Sequence, residues 1–297
     1  MKLIVQPDRG IAPVIAAIRR ARKTIDILIF RLDCIEIARE LEGAVSRGVH
    51  VRALTAHQNH GGTKNLRKLE MHLLARGVTV SRTADDLVRY HGKMMITDSK
   101  VLHVYGFNFT HLDINESRSF GIVTKNPRLV SEAANLFESD FDRQPYTSHH
   151  EHLVVSPENA RDQLAAFIMG TRKELLIYDL HLSDDRMMRL LADRKSAGAD
   201  IRVIGKCNEN LNVLHEKYPG KRLHVRAMIR DGQRAFVGSQ SLRKLELEKR
   251  REIGIVVTDE NVVREMRDVF FADWAQTASG CKELKKEKEP KEVAAVL

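Results

Sequence analysis

Two segments of the sequence repeat one spacing of chemically capable residues. His91, Lys93 and Asp98 lie in Tyr-His-Gly-Lys-Met-Met-Ile-Thr-Asp, and His224, Arg226 and Asp231 lie in His-Val-Arg-Ala-Met-Ile-Arg-Asp. In an extended segment residues i and i+2 share a face, so each copy is expected to present an imidazole beside a cation. An imidazole can attack or move a proton near neutral pH, and a neighbouring cation attracts anionic oxygens. The aspartates fall where a hairpin would turn, and Asp231-Gly232 is a tight-turn dipeptide. Their expected task is therefore to hold local structure.

Downstream of each copy comes a stretch of small, amide and hydroxyl residues, Gly106-Phe107-Asn108-Phe109-Thr110 and Gly238-Ser239-Gln240-Ser241. Asn108, Ser239 and Ser241 offer hydrogen bonds to phosphoryl oxygens beside the cations. Glu116 and Glu252 follow, each just before an apolar strand-like run, where a carboxylate can orient an imidazole.

The elements that must position these groups are themselves duplicated. Residues 21–30 resemble 171–180, and 47–54 resemble 197–204, at a constant offset of 150. Each half begins with a short apolar strand (2–6, 152–156) and an amphipathic helix, shown in the first copy by Ile11, Val14, Ile15 and Ile18. Continuous apolar runs at Ile25–Phe30 and Leu175–Tyr178 suit strands covered on both faces, and further helices lead to strands at 50–56 and 200–206. This order predicts a mostly parallel sheet sandwiched by helices, built twice. His91 and His224 are 133 apart, so the first half holds 17 extra residues, including HQNHGGTKN, expected as a loop. Arg31 and His181 fall at equivalent strand ends and are candidates for a cleft wall.

Composition narrows the setting. The 297 residues carry a net charge of +9, which favours anionic partners. Cys34, Cys207 and Cys281 form no close pair, which argues against a disulfide framework or zinc ribbon and makes a reducing, cytoplasmic setting the default expectation. The first ten residues read as a strand and turn, not as an export signal, and no transmembrane segment is expected, so membrane contact would be peripheral. His149, His150 and His152, and His57 with His60, are read as linker and surface residues, with no metal site expected at either.

The duplicated HxKxxxxD pattern, followed by a Gly/Ser/Asn element and a glutamate, resembles the phospholipase D superfamily over residues 1–277. The resemblance implies an α/β fold of two pseudo-symmetric α-β-α sandwich halves, 1–147 and 148–279, with one composite active site between them; 280–297 remain as a charged tail. It implies His91 as the nucleophile that forms a phosphohistidine and His224 as the general acid. Lys93 and Arg226, with Asn108, Ser239 and Ser241, would hold the phosphate, Glu252 would orient His91, and Glu116 would orient His224. No cofactor or metal is implied. The leading expectation is a phosphodiesterase or phosphatidyltransferase acting on phospholipid. The alternatives are a nucleic-acid phosphodiesterase and a non-catalytic phosphate- or nucleic-acid-binding member. Arg226 departs from the usual Lys, Tyr105-Gly106 from Gly-Ser, and Ser241 from Asn.

Overall fold

The computed structural model describes residues 1–57, 63–207, 213–220 and 222–288. The first half opens with β1 (Lys2–Gln6), α1 (Ala12–Arg20), β2 (Thr24–Ile29), α2 (Ile35–Ser46) and β3 (His50–Thr55). It continues through α3 (Thr63–Leu74), β4 (Thr79–Arg82), β5 (Arg89–Tyr90), β6 (Met94–Thr97), β7 (Val101–Tyr105), α4 (His111–Asn115), β8 (Ser117–Thr124) and α5 (Pro127–Phe141). The second half repeats the plan with β9 (Leu153–Ser156), α6 (Ala160–Met169), β10 (Glu174–Leu182), α7 (Asp185–Ser196) and β11 (Asp200–Cys207). After these come β12 (Leu214–Glu216), β13 (Arg222–Leu223), β14 (Arg226–Arg230), β15 (Arg234–Gly238), α8 (Lys244–Glu248), β16 (Arg250–Val257), α9 (Glu260–Trp274) and α10 (Ala278–Lys288).

Each half builds one sheet, ordered β1-β8-β7-β6-β2-β3-β4 and β12-β11-β10-β14-β15-β16-β5 among the described residues. The sheets are mixed, which corrects the expectation of mostly parallel pairing. Among the described residues β2, β3 and β4, and their counterparts β10, β11 and β12, run parallel, with helices α2, α3 and α7 joining β2 to β3, β3 to β4 and β10 to β11; the exchanged strands β5 and β13 also pair in parallel. The hairpins β6–β7 and β14–β15 then return antiparallel beside β2 and β10, because a three-residue turn reverses the chain. Of the extra segment, residues 58–62 lie outside the described residues, and from Thr63 it is the helix α3 instead of a loop.

Those hairpin turns explain the aspartates. Asp98 and Asp231 both have φ of 54°, a left-handed conformation that aspartate tolerates. Asp98 accepts backbone N–H bonds from Arg22, Lys23 and Thr24 at 2.6–3.1 Å, and Asp231 accepts from Arg172, Lys173 and Glu174 at 2.7–3.2 Å. Partial burial pushes both carboxyls up, yet the three donors outweigh it and hold each below its ordinary 3.8. A depressed folded pKa stabilises the fold above the unfolded value, and the contribution fades as pH falls through the folded one. Asp231→Ala is therefore expected to lower stability by about 2 kcal/mol at pH 7. Urea unfolding should show that deficit shrinking as pH falls below about 4, the unfolded value; a deficit independent of pH would refute the charged cradle.

Helices α1 and α2 cover the outer face of the first sheet, α6 and α7 that of the second, and α5 and α9 pack in the shared interior. The central apolar cluster draws on both halves, joining Val104, Phe120, Ile122 and Phe137 to Val155, Tyr178, Val237, Phe270 and Trp274. Trp274 is core, and its Nε1 donates to Glu283 of α10 at 3.2 Å. Glu283 also pairs with Arg202 at 2.9 Å, so the segment expected as a charged tail begins as a docked helix. Reciprocal ion pairs lock the halves: Arg118 to Asp273 at 2.9 Å, and, at an offset of 133, Arg251 to Asp140 at 3.1 Å.

The halves also exchange short strands. β5 of the first half joins the second sheet, with Arg89 and Tyr90 opposite Arg250 and Arg251 of β16. β13 of the second half joins the first sheet, with Arg222 and Leu223 opposite Ser117 and Arg118 of β8. Because His91 and His224 directly follow these strands, each histidine is delivered to the other half's sheet.

Candidate active site

Main-chain hydrogen bonds complete that delivery. His91 N–H donates to Arg251 O at 2.7 Å, and His224 N–H donates to Arg118 O at 3.1 Å. Glycine is needed at position 92, where a Cβ would sit 2.5 Å from Ile253 Cδ1. His91 and Lys93 occupy the gap between β5 and β6, not a continuous strand, so pleating is not what pairs them. The lysine instead folds back, with Nζ donating to His91 O at 2.6 Å and lying 2.8 Å from His91 Nε2. Arg226 repeats the gesture toward His224 O at 3.4 Å.

His91 Nδ1 faces Glu252 Oε2 at 2.8 Å, across the two halves. A carboxylate there accepts the Nδ1 proton and leaves the lone pair on Nε2. Burial, then Lys93 and Arg226, hold the imidazole well below its ordinary range, so it is neutral at physiological pH. Burial likewise pushes Lys93 down to about 7 against the pull of Glu252, and it raises the Glu252 carboxyl. The edge of the His91 ring meets Phe30 with centroids 4.6 Å apart.

His224 is held differently. Its Nδ1 stands 3.4 Å from Asp113 Oδ2, beyond a strong hydrogen bond. This corrects the expectation for Glu116, which is exposed at the C-terminal cap of α4, while the carboxylate facing His224 comes from inside that helix. The position equivalent to Glu252 is Ser119, whose Oγ donates to His224 O at 3.3 Å, so the first half has no carboxylate there. Burial and Arg226 lower the His224 pKa well below its usual value, against the opposing pull of Asp113.

The small-residue elements divide their work. Asn108 donates from its backbone N and from Nδ2 to Asp113 Oδ2 at 2.8 and 2.7 Å. Ser241 takes the equivalent place, its N–H donating to Glu246 at 2.7 Å and its Oγ lying 3.4 Å from Arg226 Nε. Ser239 departs from its expected phosphate contact: it is fully buried and its hydroxyl exchanges hydrogen bonds with Ile253 N and O at 3.1 and 3.3 Å, tying β15 to β16. Asp113 and Glu246 were missed by sequence reasoning, although the offset of 133 aligns them as acids in both halves.

Arg31 is exposed beside the ring of Phe30, 5.5 Å from its centroid, and His181 is half-buried near the end of β10. Elsewhere, Asp33, Cys34 and His111 bring ligand-type atoms within 4.8 Å of one another. They make a poor metal site, because burial and Asp33 push the Cys34 thiol up to about 12 and Asp33 already accepts the His111 N–H at 2.8 Å. Of the histidine clusters weighed above, His60 lies outside the described residues, and His150 Nδ1 accepts from the His152 N–H at 3.1 Å.

The sequence matches the family model described as cardiolipin synthase, PLD-like domain, over residues 14–141 and 164–274. Among solved structures, polyphosphate kinase from Porphyromonas gingivalis superposes with a TM-score of 0.76 at 19% identity, over 91% of this chain and 46% of that one. This chain thus spans less than half the length of that kinase. Phosphatidylserine synthase from Haemophilus influenzae Rd KW20 superposes with a TM-score of 0.68 at 10% identity, over 96% of this chain and 92% of that one. At such identities the likeness is one of fold. No curated protein matches the sequence significantly.

Proposed function

This chain belongs to the phospholipase D superfamily, in the family of cardiolipin synthase, PLD-like domains, and from that premise we propose that it cleaves or transfers a phosphodiester of a phospholipid through a phosphohistidine on His91. The observation that carries this reading is the 2.8 Å contact between His91 Nδ1 and Glu252. It favours the tautomer whose Nε2 lone pair lies beside Lys93, 2.8 Å away, and a neutral nucleophile is not repelled by the phosphate anion.

In the proposed sequence Nε2 of His91 attacks phosphorus in line, forming the P–N bond as the ester P–O bond breaks. His224 gives its proton to the departing alkoxide oxygen, then removes one from water or an alcohol, whose oxygen displaces His91. Burial and Arg226 disfavour a protonated His224, but an arriving phosphate offsets the charge of Arg226 and Lys93 and raises the proton affinity of both His224 and Lys93. The substrate thus charges its own acid. Lys93 turns from the imidazole to the phosphoryl oxygens, where Arg226, the Asn108 amide and Ser241 stabilise the growing charge. Exposed Ile35, Val88 and Leu112 flank these segments and suit a lipid surface. No helix among the described residues is long and apolar enough to cross a membrane.

The test is to incubate the protein in EDTA with phosphatidylcholine vesicles and, in parallel, with single-stranded DNA, then to quench for an acid-labile, base-stable phosphoryl adduct. Headgroup release with an adduct on His91 is the expected result. Cleavage of DNA alone would transfer the same chemistry to nucleic acid, which the net charge of +9 also suits. Neither product nor adduct would leave the protein as a phosphate binder.

A further inference from the structure

The duplication aligns Arg89 with Arg222 and Arg250 with Ser117, at the common offset of 133. In one half the arginine is neutralised: Arg222 stands opposite Ser117, and its guanidinium donates to the Asp113 carboxylate and, at 2.9 Å, to Ser117 Oγ. In the other half the same register sets Arg89 opposite Arg250, a like charge. Arg250 also takes the equivalent acid, with its guanidinium 3.1 Å from Glu246 and 3.9 Å from Glu252. The Nε atoms of Arg89 and Arg250 are both buried without a hydrogen-bond partner in the structure. Burial, then Arg250, lowers the pKa of Arg89, as a cation short of counter-charge requires.

This cation stands on the wall of the active site. The Arg89 guanidinium and Lys93 Nζ each lie 5.5 Å from the centroid of Phe30, the ring that touches His91. Around the site Glu252, Glu246 and Asp113 face Lys93, Arg226, Arg250, Arg222 and Arg89, with both histidines neutral. A phosphodiester brings one negative charge, so positive charge remains when it is bound, and Arg89, set opposite Arg250 with no carboxylate paired to it among the described residues, is where it is least offset.

We propose that Arg89 and Arg250 form a subsite for a second phosphoryl group of the substrate, adjacent to the phosphodiester that His91 attacks. Guanidinium forks match the several acceptor oxygens of a phosphoryl group, and the repulsion of Arg89 by Arg250 is relieved when it binds. The inference rests on the phosphodiester reading and adds a substrate class to it: molecules with two phosphoryl groups in close succession.

Calorimetric titration of the full chain in EDTA with orthophosphate, pyrophosphate and thymidine 3′,5′-bisphosphate tests it. At least one of the two double phosphates should bind roughly tenfold or more tightly than orthophosphate. Pyrophosphate as the better ligand places the groups in direct linkage; the thymidine compound places a sugar between them. Arg89→Gln should reduce that ratio about tenfold and Arg89→Lys restore part of it, with thermal unfolding of the lysine variant verifying the fold. No preference in the wild type, or the same ratio in Arg89→Gln, would overturn the subsite. A protein that binds orthophosphate and forms the adduct yet lacks the preference loses only the subsite. One that does neither loses the phosphodiester reading itself.

Discussion

His91→Ala should lose turnover by roughly 10⁴-fold or more, because it removes the atom that forms the covalent bond and no other group occupies its place. The residue is buried and packed edge-on against Phe30, so His91→Gln, which better fills that space, serves as the companion variant. Both should keep orthophosphate binding, since Lys93, Arg226 and Asn108 remain. His224→Ala has a different expected outcome. With a p-nitrophenyl ester, whose leaving group needs no proton, the first step should proceed and the adduct accumulate, because the base that releases it is gone. With an alkyl ester neither step should be fast. Full turnover in His91→Ala, or an adduct that maps to His224, would reverse the assignment of the two histidines.

Glu252→Gln should cost nearly as much, on the order of 10³- to 10⁴-fold in kcat. The side chain is almost isosteric and fully buried, so its effect is on the proton and not on packing. A glutamine can turn its amide N–H toward Nδ1, which favours the tautomer with hydrogen on Nε2 and removes the attacking lone pair. It also removes the negative charge that stabilises the phosphorylated imidazole. An effect confined to KM would mean that Glu252 merely supports substrate binding. The asymmetry of the site gives an internal comparison: Asp113→Asn, at 3.4 Å from His224, should cost less than Glu252→Gln, at 2.8 Å from His91, because the weaker contact restrains its ring less.

The two halves, the strand-helix-strand-helix-strand order that opens each, and both His-cation spacings could be read from the sequence, because duplication keeps residue types at constant offsets and burial imposes apolar runs. The aspartate turns were legible for the same local reason, since a left-handed residue bearing an acceptor is a property of a short segment. What lay beyond sequence was everything set by contact between the halves. The exchange of β5 and β13 decides which carboxylate meets which histidine, so Asp113, not Glu116, faces His224, and Ser239 joins two strands instead of facing phosphate. Arg89 and Arg222 are the same residue at equivalent positions, yet one is neutralised and the other is set against Arg250, a difference created by single substitutions on the opposing strand. Local patterns determined the groups available for chemistry, and only the packing of one half against the other decided their partners, because charge and proton position depend on neighbours that are distant along the chain.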